Sequence, residues 1–422
     1  MMQGTRPARG ILLRLYLLLS HVFPLIASII LQRRLAKGKE HPTRYVEKHA
    51  NGLASRPDGP LIWLHAVGLG EVLSLRGLIM RLAKLRPEMS FLVTSTTVAS
   101  ADVFAKNMPP RTIHQFLPID APSYRARFLD HFAPDLCIWA EQDLWPGLVD
   151  AARQRGIPQA IVAARMDARS FRSHRQVRSL YRDLYDPMAM VTAQDASTAR
   201  HLTELGAKPV VTGSLKPAAP VLSHDTAELQ RLQSAVEERM VWAVAPSHPA
   251  DEQVAIAAHE RLRSTVPSAL LIIAPRFPDR RDDIAQNLDN KVPMRSRGQV
   301  PSADDSVWLC DTFGELGLVY RLTRAVLIGG TFDETEGHNP WEAAALQNAI
   351  LHGPRTANFA NDFGQLDQAD AAIAVTDAAD LADTLMQSDL HRLTQNATAC
   401  IETASKQTDK LASDLLTLLD GA

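Results

Sequence analysis

From residue 60 onward, the sequence alternates short apolar runs with amphipathic segments. This alternation is typical of parallel sheets whose strands are joined by crossover helices, so it predicts an α/β fold. The predicted strands of the first half are residues 61–65, 91–94, 113–117, 136–139, 160–163, 190–193 and 210–212. Those of the second half are residues 241–245, 270–274, 307–309, 325–328, 349–352 and 371–375.

The length of 422 residues exceeds what one core normally holds, so we expect more than one domain. Gly and several Pro interrupt the alternation at residues 209–222, where we place the junction. The predicted parts are an N-terminal helix with a basic flank (1–40), one Rossmann-like domain (41–222) and a second one (223–422). Two such domains are expected to face each other across a cleft, with ligands at the carboxyl ends of their strands.

Charge and cysteine content exclude some classes of protein. The chain has 45 Lys+Arg against 47 Asp+Glu and a net charge of −2, which argues against a surface devoted to nucleic acid. Its three cysteines lie far apart, so neither a disulfide framework nor a Cys-rich zinc site is expected. A reducing compartment is the simpler interpretation.

The first 60 residues differ from the rest in charge. They hold ten Lys/Arg and three acidic residues, a net charge of +7, around the apolar run 11–31. A run of this length could span a bilayer, lie in its interface or form a buried core helix. The basic residues 33–39 occupy the place of a signal-peptide cleavage site, and they suit anionic headgroups. We therefore expect membrane attachment, with the remainder of the chain in the cytoplasm.

Three segments of the first half carry candidate acid–base residues. Glu71 opens a helix after a strand and a Gly-containing turn, where it could be a general base or simply a carboxylate favoured by the helix dipole. Glu141 and Asp143 follow another strand, either as helix caps or as a pair for acid–base work. Lys216 lies in the Gly-Ser-Leu-Lys turn near the junction and would suit an anionic ligand.

The second half carries candidate anion-binding and sugar-binding residues. Arg276 follows a strand and a Pro, a place for recognising phosphate or carboxylate, and Gly314 precedes a predicted helix. Asn339 and Glu342 are three residues apart, which puts an amide and a carboxylate on one helical turn. His338 could join Glu342 at a metal ion, but no third ligand stands at a suitable spacing, so no metal is expected.

In order, these segments resemble one family. The series HAVGLGE, WAEQDLWP, AARMDARSF, TGSLK, APRFPDR, DTFGELG, GGTFDETEGHNPWEAAA and GPRTANF is similar to the 3-deoxy-D-manno-octulosonic acid (Kdo) transferases of Gram-negative bacteria. The resemblance runs over almost the whole chain. It implies a GT-B fold and inverting, metal-independent and cofactor-free transfer of Kdo from CMP-Kdo to a lipid A precursor. It also implies a place at the cytoplasmic face of the inner membrane, beside the lipids of that membrane.

The same resemblance implies roles for individual residues. Glu71 matches the general base of the family, and Glu141 and Lys216 match the residues that stabilise the transition state. The residues that match the CMP-binding positions are Pro275, Arg276, Gly314, Glu315, Leu316, Asn339, Pro340, Trp341 and Glu342.

The sequence departs from the family pattern at several positions. Gly68 replaces a Ser before the base, Asp143 replaces a Glu, and Glu336 puts an extra negative charge near the expected phosphate. These departures leave two alternatives open. One is a GT-B transferase that uses another nucleotide-activated sugar, and the other is a catalytically silent scaffold for lipopolysaccharide assembly.

Overall fold

The computed structural model describes residues 9–141, 143–288, 291–387 and 389–421. They form two compact units. Unit 1 comprises the residues up to Ala219 together with those from Ala404 onward, and unit 2 comprises Pro220–Thr403. Each unit is built on one all-parallel sheet, as the alternating sequence predicts.

Unit 1 is a doubly wound domain. Its strands are β1 Leu61–His65, β2 Ser90–Ser95, β3 Thr112–Phe116, β4 Leu136–Ala140, β5 Gln159–Ala164, β6 Met188–Ala193 and β7 Val210–Val211. Its helices are α1 Ile11–Leu19, α2 Phe23–Ala36, α3 Leu69–Leu85, α4 Val98–Lys106, α5 Pro122–Phe132, α6 Pro146–Gln154, α7 Ala168–Gln176, α8 Arg178–Tyr185 and α9 Ala196–Leu205. The strand order is β3-β2-β1-β4-β5-β6-β7, so the direction of the winding reverses between β1 and β4.

Unit 2 repeats this plan with six strands. They are β8 Val241–Ser247, β9 Leu270–Pro275, β10 Val307–Leu309, β11 Ala325–Ile328, β12 Ala349–His352 and β13 Ala372–Ala374. The helices are α10 Thr226–Ala235, α11 Pro249–Thr265, α12 Arg281–Gln286, α13 Leu316–Leu322, α14 Trp341–Ala344, α15 Ala360–Gln368, α16 Ala378–Gln387 and α17 Leu390–Asp420. The order β10-β9-β8-β11-β12-β13 places the reversal between β8 and β11.

The apolar runs form strands because both faces of each sheet are covered. Every residue of β1, β2, β4 and β5 is buried. On one face of β1 and β4, Trp63 packs edge-on against Trp139 and Phe128, with ring centroids 5.2 and 5.0 Å apart. A continuous apolar run is what a strand buried on both faces requires. All thirteen predicted strands are present, and their ends differ from the predicted ones by at most two residues.

The last helix, α17, contributes to the core of both units. Leu393 and Ala397, near its start, pack into unit 2, whereas Leu411 and Leu415, near its end, pack into unit 1. The chain therefore completes unit 1 only after it has built unit 2.

The apolar N-terminal run forms two helices rather than one. A 3-10 turn, Ser20–Val22, separates α1 from α2. One side of α1 is docked on unit 1, where Leu13 is buried and the Tyr16 hydroxyl donates to Asp120 at 2.8 Å. The large apolar side chains that are exposed along α1, the 3-10 turn and α2 form what we call the exposed apolar face; they are Ile11, Leu15, Leu18, Leu19, Val22, Leu25, Ile26, Ile29 and Ile30.

This exposure speaks against a buried core helix. In the part of the chain that the structure describes, Ile11–Ala36 is the helical segment long and apolar enough to cross a membrane, judged by length and composition. Only 11% of its most apolar stretch is buried. An exposed group of large apolar side chains of this size commonly marks a surface that contacts a membrane or a protein.

Candidate active-site residues

The candidate acid–base residues of unit 1 follow β1 and β4, the two strands between which the winding reverses. In doubly wound sheets, a crevice opens outside the carboxyl ends of the strands at such a reversal. Glu71 lies on α3, which follows β1, and Glu141 directly follows β4. The topology therefore brings both carboxylates to one edge of the sheet.

Glu71 is the third residue of α3, and its side chain folds back over the start of the helix. Its Oε2 accepts hydrogen bonds from the backbone amides of Val67 (3.0 Å) and Gly68 (3.1 Å). The partial positive charge at a helix N-terminus stabilises a carboxylate there. None of the described residues donates to Oε1, so one oxygen is held and the other can take up a proton.

Glu141 forms an ion pair with Lys216. Its Oε1 lies 3.9 Å from the Lys216 Nζ and 3.4 Å from the Gln194 Nε2. The two charged side chains are only 19% and 10% exposed, which shields them from bulk water. Glu141 has a left-handed backbone with φ of 57°, a conformation that costs a non-glycine residue about 1–3 kcal/mol and is found most often at functional sites.

Asp143 has partners of its own. Its Oδ2 accepts from the His65 Nε2 at 3.0 Å and from the Trp145 indole at 2.9 Å. His65, fully buried at the end of β1, also contacts the Thr94 hydroxyl through Nδ1 at 2.9 Å. Burial alone would raise the pKa of Asp143, but the hydrogen bond and charge of His65 and the Trp145 hydrogen bond bring it below its usual value. Asp143 therefore orients a buried histidine.

Arg276 follows the end of β9, at Pro275, and its backbone amide donates to the Ser247 carbonyl at 3.0 Å. Its guanidinium carbon lies 5.4 Å from the centre of the Phe277 ring. Within the described ranges, the guanidinium makes no hydrogen bond or ion pair. A partly buried guanidinium in this state is available to bind an anion, and the anion-binding role of Arg276 stays a prediction.

The Gly314–Glu315–Leu316 turn precedes α13, and Gly314 has a positive φ of 84° that suits glycine. The Glu315 carboxylate is bound by Arg295 at 2.7 and 3.0 Å and by the Thr312 hydroxyl. Hydrogen bonds from Arg295 hold the pKa of Glu315 below its usual value. The Glu315 carboxylate is therefore already hydrogen-bonded within unit 2. A ligand at this turn would contact backbone groups instead.

The Asn-Pro-Trp-Glu segment begins just before α14. The Asn339 Oδ1 accepts from the Trp341 amide at 3.1 Å, and its Nδ2 donates to the Glu342 Oε1 at 3.3 Å. Pro340 caps the helix, and the Trp341 indole is fixed by Asp362 at 2.7 Å. Burial raises the pKa of Glu342, whose one hydrogen-bond donor within the described chain is Asn339. Such a carboxylate is well suited to accept hydrogen bonds from sugar hydroxyls.

The extra negative charge at Glu336 is balanced locally. The Arg355 guanidinium lies 3.3 Å from the Glu336 Oε1, and both side chains are partly exposed. An ion pair with this exposure contributes little to stability, but it does neutralise the carboxylate.

Sequence reasoning missed two histidine sites. One is His65, whose partner Asp143 lies 78 residues away in the chain. The other is the contact of His248 with His338, 90 residues apart, whose Nε2 atoms lie 2.9 Å from each other. The sequence did hold one signal for both sites. His65 and His248 each stand at the carboxyl end of a strand beside the point where the winding of the sheet reverses.

Comparisons with known proteins assign the family. The profile described as 3-deoxy-D-manno-octulosonic-acid transferase (kdotransferase) matches residues 33–219. The 3-deoxy-D-manno-octulosonic acid transferase of Rickettsia bellii is 32% identical over 379 residues, which cover 89% of this chain and 90% of that protein.

Solved structures show the same fold. A UDP-GlcNAc 2-epimerase from Neisseria meningitidis superposes with a TM-score of 0.57 at 13% identity, over 85% of this chain and 100% of that one. A glycosyltransferase from Rickettsia africae gives a TM-score of 0.56 at 11% identity, over 85% and 99%. The chain therefore belongs to the 3-deoxy-D-manno-octulosonic acid transferase family and is a glycosyltransferase with the GT-B fold.

Proposed function

We propose that this protein transfers Kdo from CMP-Kdo to the lipid A precursor lipid IVA, by an inverting, metal-independent reaction at the cytoplasmic face of the inner membrane. Membership in the Kdo transferase family supports the donor sugar and the reaction class. The observation that carries the mechanism is the state of Glu71, with one carboxylate oxygen held by two backbone amides and the other without a donor among the described residues.

In this mechanism, Glu71 acts as the general base. Its Oε1 takes the proton of an acceptor hydroxyl while that oxygen forms the new bond to the anomeric carbon of Kdo. The bond between the anomeric carbon and the phosphate oxygen breaks in the same step, and its electron pair leaves with the cytidylate. The two amide hydrogen bonds to Oε2 fix the carboxylate in place, so little reorientation is needed when the proton moves.

The Glu141–Lys216 pair acts on charge in the transition state. A carboxylate favours the positive charge that develops at the anomeric carbon, and an ammonium favours the anionic groups of the donor. Both effects are strong where water is excluded, and the pair is largely buried. Their mutual attraction also fixes the two side chains before substrate binds.

The donor nucleotide is assigned to unit 2. The Arg276 guanidinium would bind the phosphate, and the Glu342 carboxylate would accept hydrogen bonds from the ribose hydroxyls. The backbone of the Gly314–Leu316 turn would contact the nucleotide, because the Glu315 side chain is already bound to Arg295. Arg276 supplies positive charge to a leaving group that gains a negative one, and this requires no metal ion.

The direct test of the base is Glu71→Gln, which keeps the shape of the side chain but cannot accept the proton. Mass spectrometry would follow the product formed from CMP-Kdo and a tetra-acylated disaccharide acceptor. We expect at least a 100-fold loss of rate, since general bases contribute about 10²–10⁴-fold, with unchanged CMP affinity in calorimetry.

Glu204→Gln is the matched control, because Glu204 is exposed on α9 and outside the site. Full activity of Glu71→Gln would overturn the base. Transfer from a different nucleotide sugar in place of CMP-Kdo would overturn the donor.

The exposed face of α1 and α2 supports attachment to the inner membrane. Nine large apolar side chains of this face are about half or more exposed, and basic residues 33–39 follow. Because the Tyr16–Asp120 hydrogen bond and a bidentate Arg9–Asp150 pair dock the same segment on unit 1, we favour a helix lying in the plane of the membrane over a span.

Replacement of Leu18 and Leu25 by Asp tests this attachment. The side chains are 68% and 73% exposed, so their loss should not disturb folding. Each apolar side chain contributes about 1.5–3 kcal/mol when buried, so the double variant should bind phosphatidylethanolamine–phosphatidylglycerol vesicles more than tenfold more weakly in flotation.

Val210→Asp is the control, because Val210 is 63% exposed on β7, away from this face. Equal flotation of the double variant and the control would contradict the proposed membrane contact. Resistance of the wild type to alkaline extraction would favour a span instead.

A further inference from the structure

The carboxyl ends of β8 and β11 meet at the reversal of unit 2. His248 follows β8, and the loop 329–339 follows β11. A Cβ on Gly329 would lie 1.8 Å from the Pro246 carbonyl oxygen, so only glycine allows this approach of the two segments. The buried Asp251 carboxylate joins them, since it accepts from the amides of His248 (2.9 Å), Gly330 (2.6 Å) and Phe332 (3.1 Å).

Between these two segments, the imidazole rings of His248 and His338 form a relay, by which we mean a chain of polar contacts that begins at the Asp333 carboxylate. The Nε2 atoms of His248 and His338 are 2.9 Å apart, the ring centroids are 5.1 Å apart, and the two ring planes differ by 15°. The other nitrogen of His248, Nδ1, lies 3.5 Å from the Asp333 Oδ2. The other nitrogen of His338, Nδ1, has no hydrogen-bond partner in the part of the chain that the structure describes.

The protonation of this relay follows from its geometry. A 2.9 Å contact between two Nε2 atoms needs one N–H donor and one acceptor. Asp333 favours a proton on the Nδ1 of His248, so in the neutral pair the His248 Nε2 accepts and the His338 Nε2 donates. The His338 Nδ1 then carries no proton. It becomes a donor only when the pair takes up one further proton.

From this geometry we infer that the His248–His338 pair takes up one proton when the phosphate of a nucleotide binds beside Arg276, and that the His338 Nδ1–H then donates to a phosphate oxygen. The inference rests on the proposed assignment of the nucleotide to unit 2. Arg276 is close enough to His338 to disfavour a proton on it in the absence of an anion. A phosphate between the two cations would remove this repulsion.

The charges around the pair agree with this coupling. Burial, His248 and Arg276 lower the pKa of His338 to about 4, so this ring is neutral near pH 7 without a ligand. The charged residues on the loop 329–339 and on the start of the elements after β8 and β9 are Asp333, Glu334, Glu336, Arg276, Asp251 and Glu252. Glu336 is paired with Arg355, Glu252 is paired with Arg280, the Asp251 carboxylate is bound by three backbone amides, and Glu334 is exposed. Arg276 and Asp333 remain as the charges that act on the pair.

The coupling would also assist the reaction. When the bond to the sugar breaks, the phosphate of the departing nucleotide gains a second negative charge. An imidazolium at hydrogen-bond distance offsets that charge without a further rearrangement. His338 would then contact the leaving group, whereas His248 and Asp333 would act through it as positioning residues.

Calorimetry measures the proton directly. Titration of CMP at pH 7 in two buffers with different ionisation enthalpies gives the number of protons taken up on binding, and cytidine serves as the ligand without phosphate. We expect the wild type to take up about one proton more than His338→Gln does with CMP, and no difference with cytidine. His338→Gln should also weaken CMP binding about tenfold and leave cytidine binding unchanged.

Two further variants separate coupling from structural damage. In Asp333→Asn, the preference for a proton on the His248 Nδ1 is removed, so the neutral pair can already present an Nδ1–H on His338. Proton uptake should fall while the preference for CMP over cytidine remains, a result that a misfolded site would not give. His224→Gln, an exposed histidine of unit 2, should behave as the wild type.

Equal proton uptake by the wild type and His338→Gln would overturn the inference, as would equal CMP affinity. Failure of the proposed function gives a different result. If the protein binds UMP rather than CMP, the donor assignment is wrong, and the same comparison of UMP with uridine still tests the histidine pair.

Discussion

Units 1 and 2 carry their candidate residues at the same point of the same topology, but they differ in whether the charged side chains there are paired. Both sheets reverse their winding between the third and fourth strands of their order, and both carry their candidate residues at the carboxyl edge beside this point. In unit 1, the charged side chains that follow β4 are already paired, as Glu141 is with Lys216 and Asp143 is with His65. In unit 2, the Arg276 guanidinium has no such partner within the described chain.

The difference between paired and unpaired side chains suggests which unit acts on the reacting atoms and which one binds the anion. Side chains locked in pairs keep a fixed geometry, which suits groups that act on a reacting atom. An unpaired guanidinium gains most when an anion arrives, because its charge is not yet compensated. We therefore propose that unit 1 carries a catalytic edge and unit 2 a binding edge, although the strand order is shared.

Lys216→Met should give the largest effect, because it removes the cation of the paired edge. The largely buried Glu141 carboxylate would lose the counter-charge that Lys216 supplies. We expect kcat for Kdo transfer to fall by about 10²–10³-fold, the usual loss when one electrostatic group of an active site is removed. CMP affinity, measured by calorimetry, should stay within twofold, and a parallel loss of CMP binding would break the division between the two edges.

Arg276→Gln tests the binding edge. The guanidinium makes no hydrogen bond or ion pair with the described residues. Its removal therefore deprives no carboxylate of a partner, and we expect the melting temperature to stay unchanged. Loss of a charged hydrogen bond costs about 1.5–3 kcal/mol, which corresponds to roughly a 10–100-fold weaker binding of CMP. Cytidine binding should be unaffected, and an equal loss for cytidine would show that Arg276 does not contact the phosphate.

The architecture was predictable because a strand buried on both faces leaves a local signal. Each such strand is a continuous apolar run, and all thirteen appear where the sequence predicts them. The break between α1 and α2 was not predicted, because the run 11–31 is mostly apolar, with one Arg, one His and one Pro, and has the length of a single helix. Its cause is local polar chemistry, since the Ser20 hydroxyl donates to the Leu17 carbonyl and Pro24 has no amide to donate.

The site was predictable only in part, because pairing depends on residues far apart in the chain. The positions of Glu71, Glu141 and Lys216 follow from motifs, but the Glu141–Lys216 contact becomes visible only in the fold. Likewise, nothing near Glu315 in the sequence indicates that Arg295, 20 residues earlier, binds its carboxylate. The assignment of catalytic and CMP-binding roles to these residues stays a prediction, as do the limits of the predicted domains.

Glu315→Gln should have the smallest effect on nucleotide binding. It tests whether the binding edge includes the side chain of Glu315 or only the backbone of its turn. Because the carboxylate is bound by Arg295, CMP affinity should change less than threefold. The variant should instead lower the free energy of unfolding by about 1–2 kcal/mol at pH 7, the scale of a charged hydrogen bond that is partly exposed.

The pH dependence of that stability has a defined sign. Arg295 lowers the pKa of Glu315 in the folded protein, so the stabilisation is complete above the ordinary carboxyl pKa and is lost as the pH falls through the lowered one. The difference in unfolding free energy between wild type and Glu315→Gln, followed by urea denaturation, should therefore be constant near neutrality and shrink in acid. A tenfold loss of CMP affinity with unchanged stability would instead make Glu315 a ligand of the nucleotide, and the binding edge would then extend to its side chain.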